Sequence, residues 1–480
     1  MKLALVNLNM TVPDPPLGLA YLAAYLRKHS DISDIVIIDK EDQIKGIKRE
    51  KPDIIGIGAM TYEFPEAKLL ANKIKENFEI PIVLGGHHIT LMPIHFSNPP
   101  FDVAVLGEGE KTLTELMQIF KINGSFPIKE LRNTKGIIFR NDRNVNEMTP
   151  ARPLIEPLDE IPYPARDLLK MKEYYLTLRK TVFGKLGIYG QMITSRGCPY
   201  KCTFCSTTVF WRRPRFHSAE YVVDEMKHLI ERYDVDVILF FDDLFIANKK
   251  RIVDIAELME KEGINEKIKL YVYGRANLID EEILKNLKKM NVVMMEFGLE
   301  SGSEKILKYL KKGQVTVKDN RKALELCKKF GIKTNGSLII GSPEETEEDL
   351  KQTLSLLNDE NLDKSHVCQL TPYPGTEIWE YAKKMGIVSD DPNFDLKKIY
   401  LLKFKPDLIM TKHISKEEFA KWYNLLLTKS EKKLHKVSLN ELFSEIRPKH
   451  LKYILTPRFL KKIVFDWKEA IRYAKQTKIK

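Results

Sequence analysis

Short apolar runs that alternate with amphipathic stretches restrict the possible fold more than any other feature of this chain. Five such runs in the first third, each bounded by Gly, Pro or Asp, predict strands; they are "KLALVNLN", "DIVIID", "DIIGIGAM", "PIVLGGH" and "VAVLG". Between them, "PLGLAYLAAYLRKH" from Pro16, "EFPEAKLLANKIKENF" from Glu63 and "EKTLTELMQIFK" from Glu110 predict helices. This alternation is typical of a parallel sheet covered on both faces. The sequence therefore predicts an α/β, doubly wound, flavodoxin-like (Rossmann-like) domain over residues 1–125.

The alternation weakens over residues 126–189. The stretch "GIIFRNDRNVNE" predicts a small hairpin, and prolines 150, 153, 157, 162 and 164 interrupt the residues after it. We interpret this region as a connector that packs on both neighbouring domains.

A second alternation begins at Gly190. Six further runs predict strands, each followed by a helical stretch: "GQMITS", "VDVILFF", "IKLYVY", "VVMMEFG", "IKTNGSLIIG" and "SHVCQLT". Six strand-helix units with right-handed crossovers predict a partial (β/α)6, TIM-like barrel over residues 190–392, with its active site at the carboxyl ends of the strands. In the fifth unit, Ser342 is the predicted N-cap, Pro343 the first helical residue and Glu345 the capping-box acid. Residues 393–480 are predicted to be helical.

Composition narrows the class of protein. The start of the chain lacks the cleavage site of an export signal, and no apolar run reaches the roughly 18 residues that cross a bilayer, which predicts a cytoplasmic protein. The formal net charge of +12 is modest. Five cysteines, an odd number with three clustered, make a poor disulfide framework. We therefore expect the cluster to bind metal or to act in catalysis.

The clustered cysteines lie in "SRGCPYKCTFCS", just after the first strand of the second alternation. A structural zinc site needs four Cys or His ligands, and the nearest downstream histidine is His217. A 4Fe-4S cluster held by three cysteines would instead leave one iron open to an external ligand. Arg196 and Lys201 are expected to favour the thiolate form.

This stretch resembles the cluster loop of the radical S-adenosylmethionine (SAM) superfamily, in which Cys198, Cys202 and Cys205 have the C-x3-C-x2-C spacing and Phe204 is the aromatic residue before the last cysteine. The resemblance implies a 4Fe-4S cluster held by these three cysteines. It also implies that the open iron binds the amino and carboxylate groups of SAM, which is then cleaved reductively to a 5'-deoxyadenosyl radical.

The resemblance continues at the strand ends. Asp242 and Asp243 in "FFDDLF" resemble the segment near the methionyl amino group, and Arg275 in "VYGRAN" resembles a carboxylate clamp. Glu300 and Ser301 in "FGLESGS" resemble the ribose-binding segment, while "GSLIIGSPEET" and "LTPYPGTEIW" resemble motifs on the adenine side. The residues alone leave plainer roles open: a helix cap for the aspartates, an ion pair for the arginine and a surface position for the glutamate. Cys327 and Cys368 are expected to be small apolar residues of a helix and a strand.

The first domain resembles the cobalamin-binding domain that precedes the radical domain in one large subgroup. Its implied cofactor residues end strands or begin helices: they are Thr61, Gly85, Gly86, His87, His88, Gly107, Glu108 and Gly109. The glycines would let the backbone approach a corrin ring closely. The D-x-H-x-x-G motif that supplies a lower cobalt ligand does not occur. His88 is therefore expected to line the sheet end rather than to bind cobalt, and a domain that binds no cofactor stays open as an alternative.

Both cofactors together imply radical methylation of an unactivated carbon by way of methylcobalamin. The alternatives are an oxidative or ring-forming radical reaction, as in the anaerobic cyclase of chlorophyll synthesis, and a non-catalytic iron-sulfur or corrinoid-binding protein. The expected partners are a small-molecule or lipid substrate and an electron donor of the ferredoxin or flavodoxin type.

The end of the chain is basic. Residues 447–480 hold eleven Lys or Arg and two acidic residues, with apolar residues at helical spacing. This pattern is compatible with peripheral contact with an anionic membrane or with a tail helix that packs on the barrel. An interleaved aromatic platform is missing, which argues against nucleic-acid binding.

Overall fold

The computed structural model describes residues 1–8, 14–97, 100–172, 178–180, 186–399 and 404–434. The basic segment 447–480, and with it the predicted membrane contact, lies outside the described residues. Within these ranges, no helix combines the length and the apolar character that a membrane span needs.

The first sheet has seven strands. They are β1 (Leu3–Val6), β2 (Ile35–Ile38), β3 (Ile54–Gly58), β4 (Ile82–Gly85), β5 (Val103–Val105), β6 (Ile137–Arg140) and β7 (Asn146–Met148). The helices of this part are α1 (Leu17–His29), α2 (Gln43–Glu50), α3 (Phe64–Asn77), α4 (His87–Leu91), α5 (Gly109–Asn123) and α6 (Ile128–Asn133). The first five strands are parallel in the order β2-β1-β3-β4-β5, which confirms the flavodoxin-like domain.

The second sheet also has seven strands and contains the predicted partial barrel. Its strands are β8 (Leu178–Lys180), β9 (Leu186–Met192), β12 (Val237–Phe240), β13 (Lys269–Gly274), β14 (Val292–Glu300), β15 (Lys333–Ile340) and β16 (Lys364–Gln369), while β10 (Ser195–Arg196) and β11 (Arg215–Phe216) form a separate pair. Strands β9 and β12 to β16 are parallel neighbours in chain order, as the six strand-helix units predict, and β8 adds an antiparallel edge.

Helices alternate with the strands of the second sheet. They are α7 (Thr207–Trp211), α8 (Ala219–Tyr233), α9 (Lys249–Lys261), α10 (Glu281–Lys289), α11 (Glu304–Lys311), α12 (Val317–Lys329), α13 (Glu347–Leu357), α14 (Glu377–Lys384) and α15 (Lys416–Leu434). The last of these packs Phe419 and Leu426 into the barrel core, and its Ser430 hydroxyl donates to the carbonyl of Ser365 on β16.

The predicted connector contributes to both sheets. Its hairpin, β6 and β7, pairs antiparallel with β5, so the first sheet extends to Met148. Its end contributes β8 and the start of β9 to the second sheet. The connector therefore packs on both neighbours by extending their sheets.

One predicted helix start is wrong. Helix α13 begins at Glu347 rather than Pro343, because Thr346 is the N-cap and Asp349 completes the capping box. The same Ser/Thr-x-x-acid pattern occurs twice in this stretch, and Glu345 is engaged elsewhere, accepting a hydrogen bond from the backbone N–H of Gly341. The sequence pattern alone does not decide between the two starts.

The two sheets share a buried apolar interface. Trp379 and Ile378 of α14 and Leu310 of α11 belong to the same core cluster as Phe64 and Ala67 of α3. The Trp379 indole N–H donates to Asp390 at 2.7 Å, so its polar atom is satisfied where it is buried. This packing holds the first sheet beside the barrel.

Candidate functional site

The cysteine loop is closed at its base by the β10–β11 pair, which joins Ser195 to Phe216 and Arg196 to Arg215. The loop turns sharply at Gly197, where φ is +90°. A Cβ at this position would lie 2.7 Å from the carbonyl oxygen of Arg213, so only glycine fits the turn. The three cysteines therefore lie on a loop with a fixed entry and exit.

The predicted aspartate pair anchors this loop. Asp242 is buried and accepts hydrogen bonds from the Thr194 backbone at 2.6 Å and the Ser195 hydroxyl at 2.7 Å. Asp243 accepts from the Gly197 backbone N–H and the Thr207 hydroxyl, both at 2.9 Å. Neither aspartate caps a helix through these hydrogen bonds. The aspartates hold the two sides of the cysteine loop to the end of β12.

The cysteine thiols are half-buried, and their environment differs from the predicted one. Burial raises the pKa of Cys198 to about 11 and also raises the pKa of Cys205. The expectation that Arg196 favours the thiolates is wrong, because its guanidinium is bound by Glu108 and Glu110.

The described residues do not bring three His, Cys, Asp or Glu side chains close enough together to chelate a single metal ion. A 4Fe-4S cluster binds each thiolate to a different iron, so its ligands need not converge on one point. Metal coordination deprotonates thiols outright, which would compensate for the effect of burial. The donor set therefore fits a cluster in its chemistry.

Arg275 lies directly beside the cysteine loop. Its Nη1 is 3.6 Å from the sulfur of Cys202, and its guanidinium carbon lies 3.7 Å from the ring centre of Tyr200. Its side-chain hydrogen bonds go to the amide oxygens of Asn277 at 3.0 Å and Gln314 at 3.4 Å. Because these partners are neutral, they do not compensate the positive charge of Arg275.

Glu300 ends β14 as a buried carboxylate, not as a surface acid. Its φ is +60°, a left-handed conformation, and its Oε1 lies 2.6 Å from the ammonium of Lys311. A Cβ at Gly298 would lie 2.2 Å from Glu300 Oε1, so this glycine makes room for the carboxylate. Ser301 binds within the fold, where its hydroxyl contacts that of Thr353 at 3.1 Å.

Lys311, the partner of Glu300, is not among the residues that the sequence motifs indicate. The Lys311 ammonium also lies 5.7 Å from the ring centre of Phe204, the predicted aromatic residue of the cysteine loop. Lys311 thereby links the loop to Glu300. It stands on a helix eleven positions after the glutamate, in a lysine-rich stretch that offers no local signal.

A cavity of about 550 Å³ lies where the carboxyl ends of the first sheet face the cysteine loop. Six of the predicted cobalamin-binding residues line it: Gly85, Gly86, His87, Gly107, Glu108 and Gly109. The opposite wall comes from the barrel and the cysteine loop, with Ile193, Ser195, Arg196, Phe210, Trp211 and Phe241. A Cβ on Gly85 or Gly107 would meet no protein atom within 4 Å. These glycines therefore leave space that a bulky ligand could fill.

The two predicted histidines occupy different environments. His87 lines the cavity and stacks on Phe210 of the cysteine loop, with ring centres 3.8 Å apart, and burial lowers its pKa to about 4. His88 instead lies fully buried, with its Nε2 2.9 Å from Nδ1 of His95, and it is not part of the cavity wall. Thr61 is also buried away from the cavity wall. His88 therefore lies at the end of the sheet, where its backbone N–H donates to the Ala59 carbonyl, but its side chain is buried outside the cavity.

Glu108 connects the first sheet to both strands that frame the cysteine loop. Its Oε1 lies 2.7 Å from Arg196 and 2.8 Å from Arg215, and its Oε2 accepts from the Ile155 backbone N–H at 2.9 Å. Arg196 also contacts Glu110 at 2.5 Å. All four charged side chains are at most 8% exposed, so each depends on the others for compensation of its charge.

Replacement of Glu108 by Gln should lower the free energy of unfolding by about 3 kcal/mol, because two buried arginines lose a carboxylate. Burial raises the pKa of Glu108, but Arg215 and Arg196 lower it more, so that it lies below 4.5. The carboxylate's contribution should therefore be complete above pH 4.5 and should disappear as the pH falls through the lowered value.

Thermal unfolding of wild type and E108Q between pH 7 and pH 3 would measure this. The difference in Tm should be constant at neutral pH and shrink as the pH falls below 4.5 through the lowered pKa of Glu108. The exposed α3 position Glu76 provides the matched control E76Q, which should unfold like wild type. An E108Q protein with the wild-type Tm at pH 7 would contradict the assigned role.

Comparison with known proteins agrees with this arrangement. Residues 4–117 match the B12 binding domain family, and residues 192–357 match the Radical SAM superfamily. An uncharacterized methyltransferase of Pyrococcus horikoshii is 37% identical over 379 residues, which span 77% of this chain and 78% of the relative. The anaerobic magnesium-protoporphyrin IX monomethyl ester cyclase of Rubrivivax gelatinosus is 30% identical over 377 residues, 76% of this chain and 66% of the cyclase.

Among solved structures, the radical SAM methyltransferase TsrM from Kitasatospora setae, with tryptophan and a SAM analogue bound, has a similar fold. The TM-score is 0.66 at 21% identity, over 80% of this chain and 76% of TsrM. The two matched domains, together with a relative at 37% identity that is covered over most of its length, show the family. The chain is a member of the radical SAM superfamily and belongs to the enzymes of that superfamily that carry an N-terminal B12-binding domain.

Proposed function

We propose that this enzyme methylates an unactivated carbon of a small-molecule or lipid substrate, with SAM and cobalamin as the reacting cofactors. The observation that carries this proposal is the shared cavity. Gly85 and Gly107 of the B12-binding domain face Arg196 and Trp211 of the cysteine loop across one space of about 550 Å³. A substrate in or beside this space would be within reach of both cofactor-binding regions.

Cys198, Cys202 and Cys205 would hold the 4Fe-4S cluster. When bound, the cluster supplies the electron for reductive cleavage of SAM and an open iron that orients it. The protein keeps the cysteines in place through Asp242 and Asp243, which bind the loop backbone and its hydroxyls. We therefore assign these aspartates to positioning of the loop.

Arg275 and Glu300 would contact SAM itself. The guanidinium of Arg275 has neutral partners and lies at the loop, where it can pair with the methionyl carboxylate. Lys311 occupies Oε1 of Glu300, so Oε2 is the oxygen that can accept hydrogen bonds from ribose hydroxyls. Lys311 also keeps this carboxylate compensated while it is buried.

The glycine-lined wall of the cavity would hold cobalamin, which when bound supplies the methyl group for transfer. Gly85 and Gly107 give a flat backbone surface against which a corrin ring can lie. His87 has a pKa of about 4, so its ring is neutral at physiological pH. Its stacking on Phe210 ties the first sheet to the cysteine loop at the cavity wall.

An oxidative or ring-forming reaction is the second candidate, because the 30% identical relative from Rubrivivax gelatinosus is a cyclase. The same site residues would serve either reaction, and the two differ in what the substrate gains. An external electron donor of the ferredoxin or flavodoxin type would serve both.

The fate of the SAM methyl group separates the two candidates. The enzyme would be reconstituted anaerobically with corrinoid and reductant and given methyl-deuterated SAM and an extract of its source cells as substrate. We expect mass spectrometry to show a product that is three mass units heavier than the product made with unlabelled SAM. Parallel reactions with unlabelled SAM control for products already present. Substrate turnover without label in the product would exclude methylation and favour the oxidative reaction.

Cluster binding is tested by cysteine replacement. Cys202→Ala should abolish formation of 5'-deoxyadenosine and lower the iron content, because one of three thiolate ligands is lost. Cys327→Ala is the matched control, since this cysteine is buried in α12 away from the loop, and it should retain both. Iron and sulfide analysis with chromatography of the nucleoside products would measure the two effects.

If wild type formed no 5'-deoxyadenosine, or if C202A behaved like wild type, a non-catalytic cofactor-binding protein would replace the proposed enzyme.

The cobalamin assignment is tested by filling the cavity. Gly85→Leu should place its side chain in space that is free of protein atoms and lower the cobalt content at least about tenfold. Asn72→Leu, at an exposed position of α3 in the same domain, adds the same side chain outside the cavity and should leave cobalt content unchanged. Cobalt analysis and visible spectra provide the readout. Equal cobalt in wild type and G85L would show that the cavity does not hold the corrinoid.

A further inference from the structure

The inner face of the barrel carries a group of polar side chains below the proposed SAM site. Three of them lie side by side on neighbouring strands, because Glu296 on β14 is in register with Tyr273 on β13 and with Asn335 on β15. Side chains alternate between the two faces of a strand. Phe297 follows Glu296 directly and Leu338 lies three positions after Asn335, so both point to the opposite face, and both pack in the helix-covered core. The row of Glu296 therefore faces the lumen of the barrel.

Glu296 is held by hydrogen bonds at one oxygen. The hydroxyl of Tyr271 and the amide nitrogen of Asn335 both donate to Oε2, the second at 3.3 Å. The Asn335 amide nitrogen also donates to the Tyr271 hydroxyl at 3.1 Å. Burial and the charge of Glu296 raise the pKa of Tyr271, so the phenol keeps its proton and acts as a donor. These contacts fix the direction of the carboxylate.

Two acceptor oxygens in this group are less satisfied. Oε1 of Glu296 has the Nε2 of His366 at 3.4 Å, on a side chain that is 42% exposed. Oδ1 of Asn335 is buried and has no hydrogen-bond partner among the described residues. A buried amide oxygen without a partner costs free energy, and a carboxylate accepts hydrogen bonds without donating any. Of the two side chains, the 14% exposed Glu296 is the one that a donating ligand can reach, because Asn335 Oδ1 is enclosed by protein.

The charges that face this part of the lumen favour a cation. Asp14 of the first domain accepts a hydrogen bond from the amide of Gln191 on β9 at 3.1 Å. Burial raises the pKa of Tyr273 most, and the negative charges of Glu296 and then Asp14 raise it further. A second carboxylate therefore lies near the row. Lys364 ends the row on β16, two strands from Glu296 and so roughly 10 Å across the sheet.

The position of Glu296 suits a substrate that reaches the reacting centre. Glu296 lies four residues before Glu300 on β14, and the register of the strand shifts between Gly298 and Glu300. Gly298 lies between them, and the Glu300 carboxylate and the Lys311 ammonium occupy the space over it. A molecule bound at Glu296 would therefore approach the proposed SAM contact Glu300 from the lumen side.

We propose that the lumen group of Glu296 and Asn335 is a substrate subsite for a cationic nitrogen, an ammonium or guanidinium group. The nitrogen donates to Oε1 of Glu296, while Tyr271 and Asn335 hold the other carboxylate oxygen. The inference deepens the proposed function and rests on it, since it narrows the substrate class to molecules that carry a positively charged nitrogen.

Equilibrium binding of simple probes tests this subsite without the natural substrate. The probes are 2-phenylethylamine, its neutral counterpart 2-phenylethanol and the anion phenylacetate, added to anaerobic holoenzyme and followed by saturation-transfer NMR. We expect the amine to bind about tenfold more tightly than the alcohol, as for one charge-assisted hydrogen bond. Phenylacetate should bind most weakly.

Glu296→Gln should reduce the preference for amine over alcohol to near one. The matched control is Glu257→Gln, at an exposed position of α9, which should keep the wild-type preference. If E296Q fails to retain iron and cobalt, Asn335→Leu provides a second variant, which should weaken the amine severalfold and leave the alcohol unchanged. The inference would be overturned if 2-phenylethanol bound the wild type as tightly as 2-phenylethylamine. It would also be overturned if the folded variants kept the wild-type preference for amine over alcohol.

Formation of 5'-deoxyadenosine by the same wild-type preparation keeps the two proposals separate. Nucleoside formation without amine preference would overturn the subsite alone. Amine preference without nucleoside formation would support the subsite and overturn the proposed radical reaction.

Discussion

The contact of Glu108 with Arg196 and Arg215 is the interaction on which the arrangement of the two domains depends. The glutamate precedes α5 at the end of the first sheet, and the two arginines belong to the paired strands that frame the cysteine loop. Buried charges are costly unless they are fully paired. The alternative positions of the loop would leave these charges uncompensated, so the network selects one position of the loop against the first sheet.

Because the loop is held in one position, the cavity has one wall from each domain. Parallel sheets place their ligand-binding turns at the carboxyl ends of the strands, and here the ends of both sheets border one space. Gly85 and Gly107 leave one wall flat, while Phe210 and Trp211 of the loop form the opposite wall. Each domain alone has half of this surface. The chemistry proposed for the enzyme therefore depends on the interface as much as on either fold.

Much of this architecture could be predicted from the sequence because its signals are local. Strand rhythm predicted both sheets, and the cysteine spacing with the strand-end motifs placed Arg275 and Glu300 beside the loop. The partners of these residues could not be predicted, because they are set by tertiary contacts between distant positions. Lys311 reaches Glu300 and the Phe204 ring from another helix, and Arg215 meets Glu108 across 107 positions. His88 shares the local pattern of His87 but turns into the core to meet His95.

The acidic residues at the strand ends show that a sequence motif can locate the site correctly without defining what each of its residues does. Asp242 and Glu300 both end strands of the barrel and are both buried, yet Asp242 makes its hydrogen bonds to the loop backbone and hydroxyls. Glu300 has a lysine at one oxygen, which leaves the other for a ligand. Glu296 lies deeper on the same strand as Glu300, outside any motif, where Tyr271 and Asn335 orient it toward the lumen. Residues that hold the shared cofactors have to recur at fixed positions, whereas residues that select a substrate are free to differ, so specificity is to be sought between the motifs.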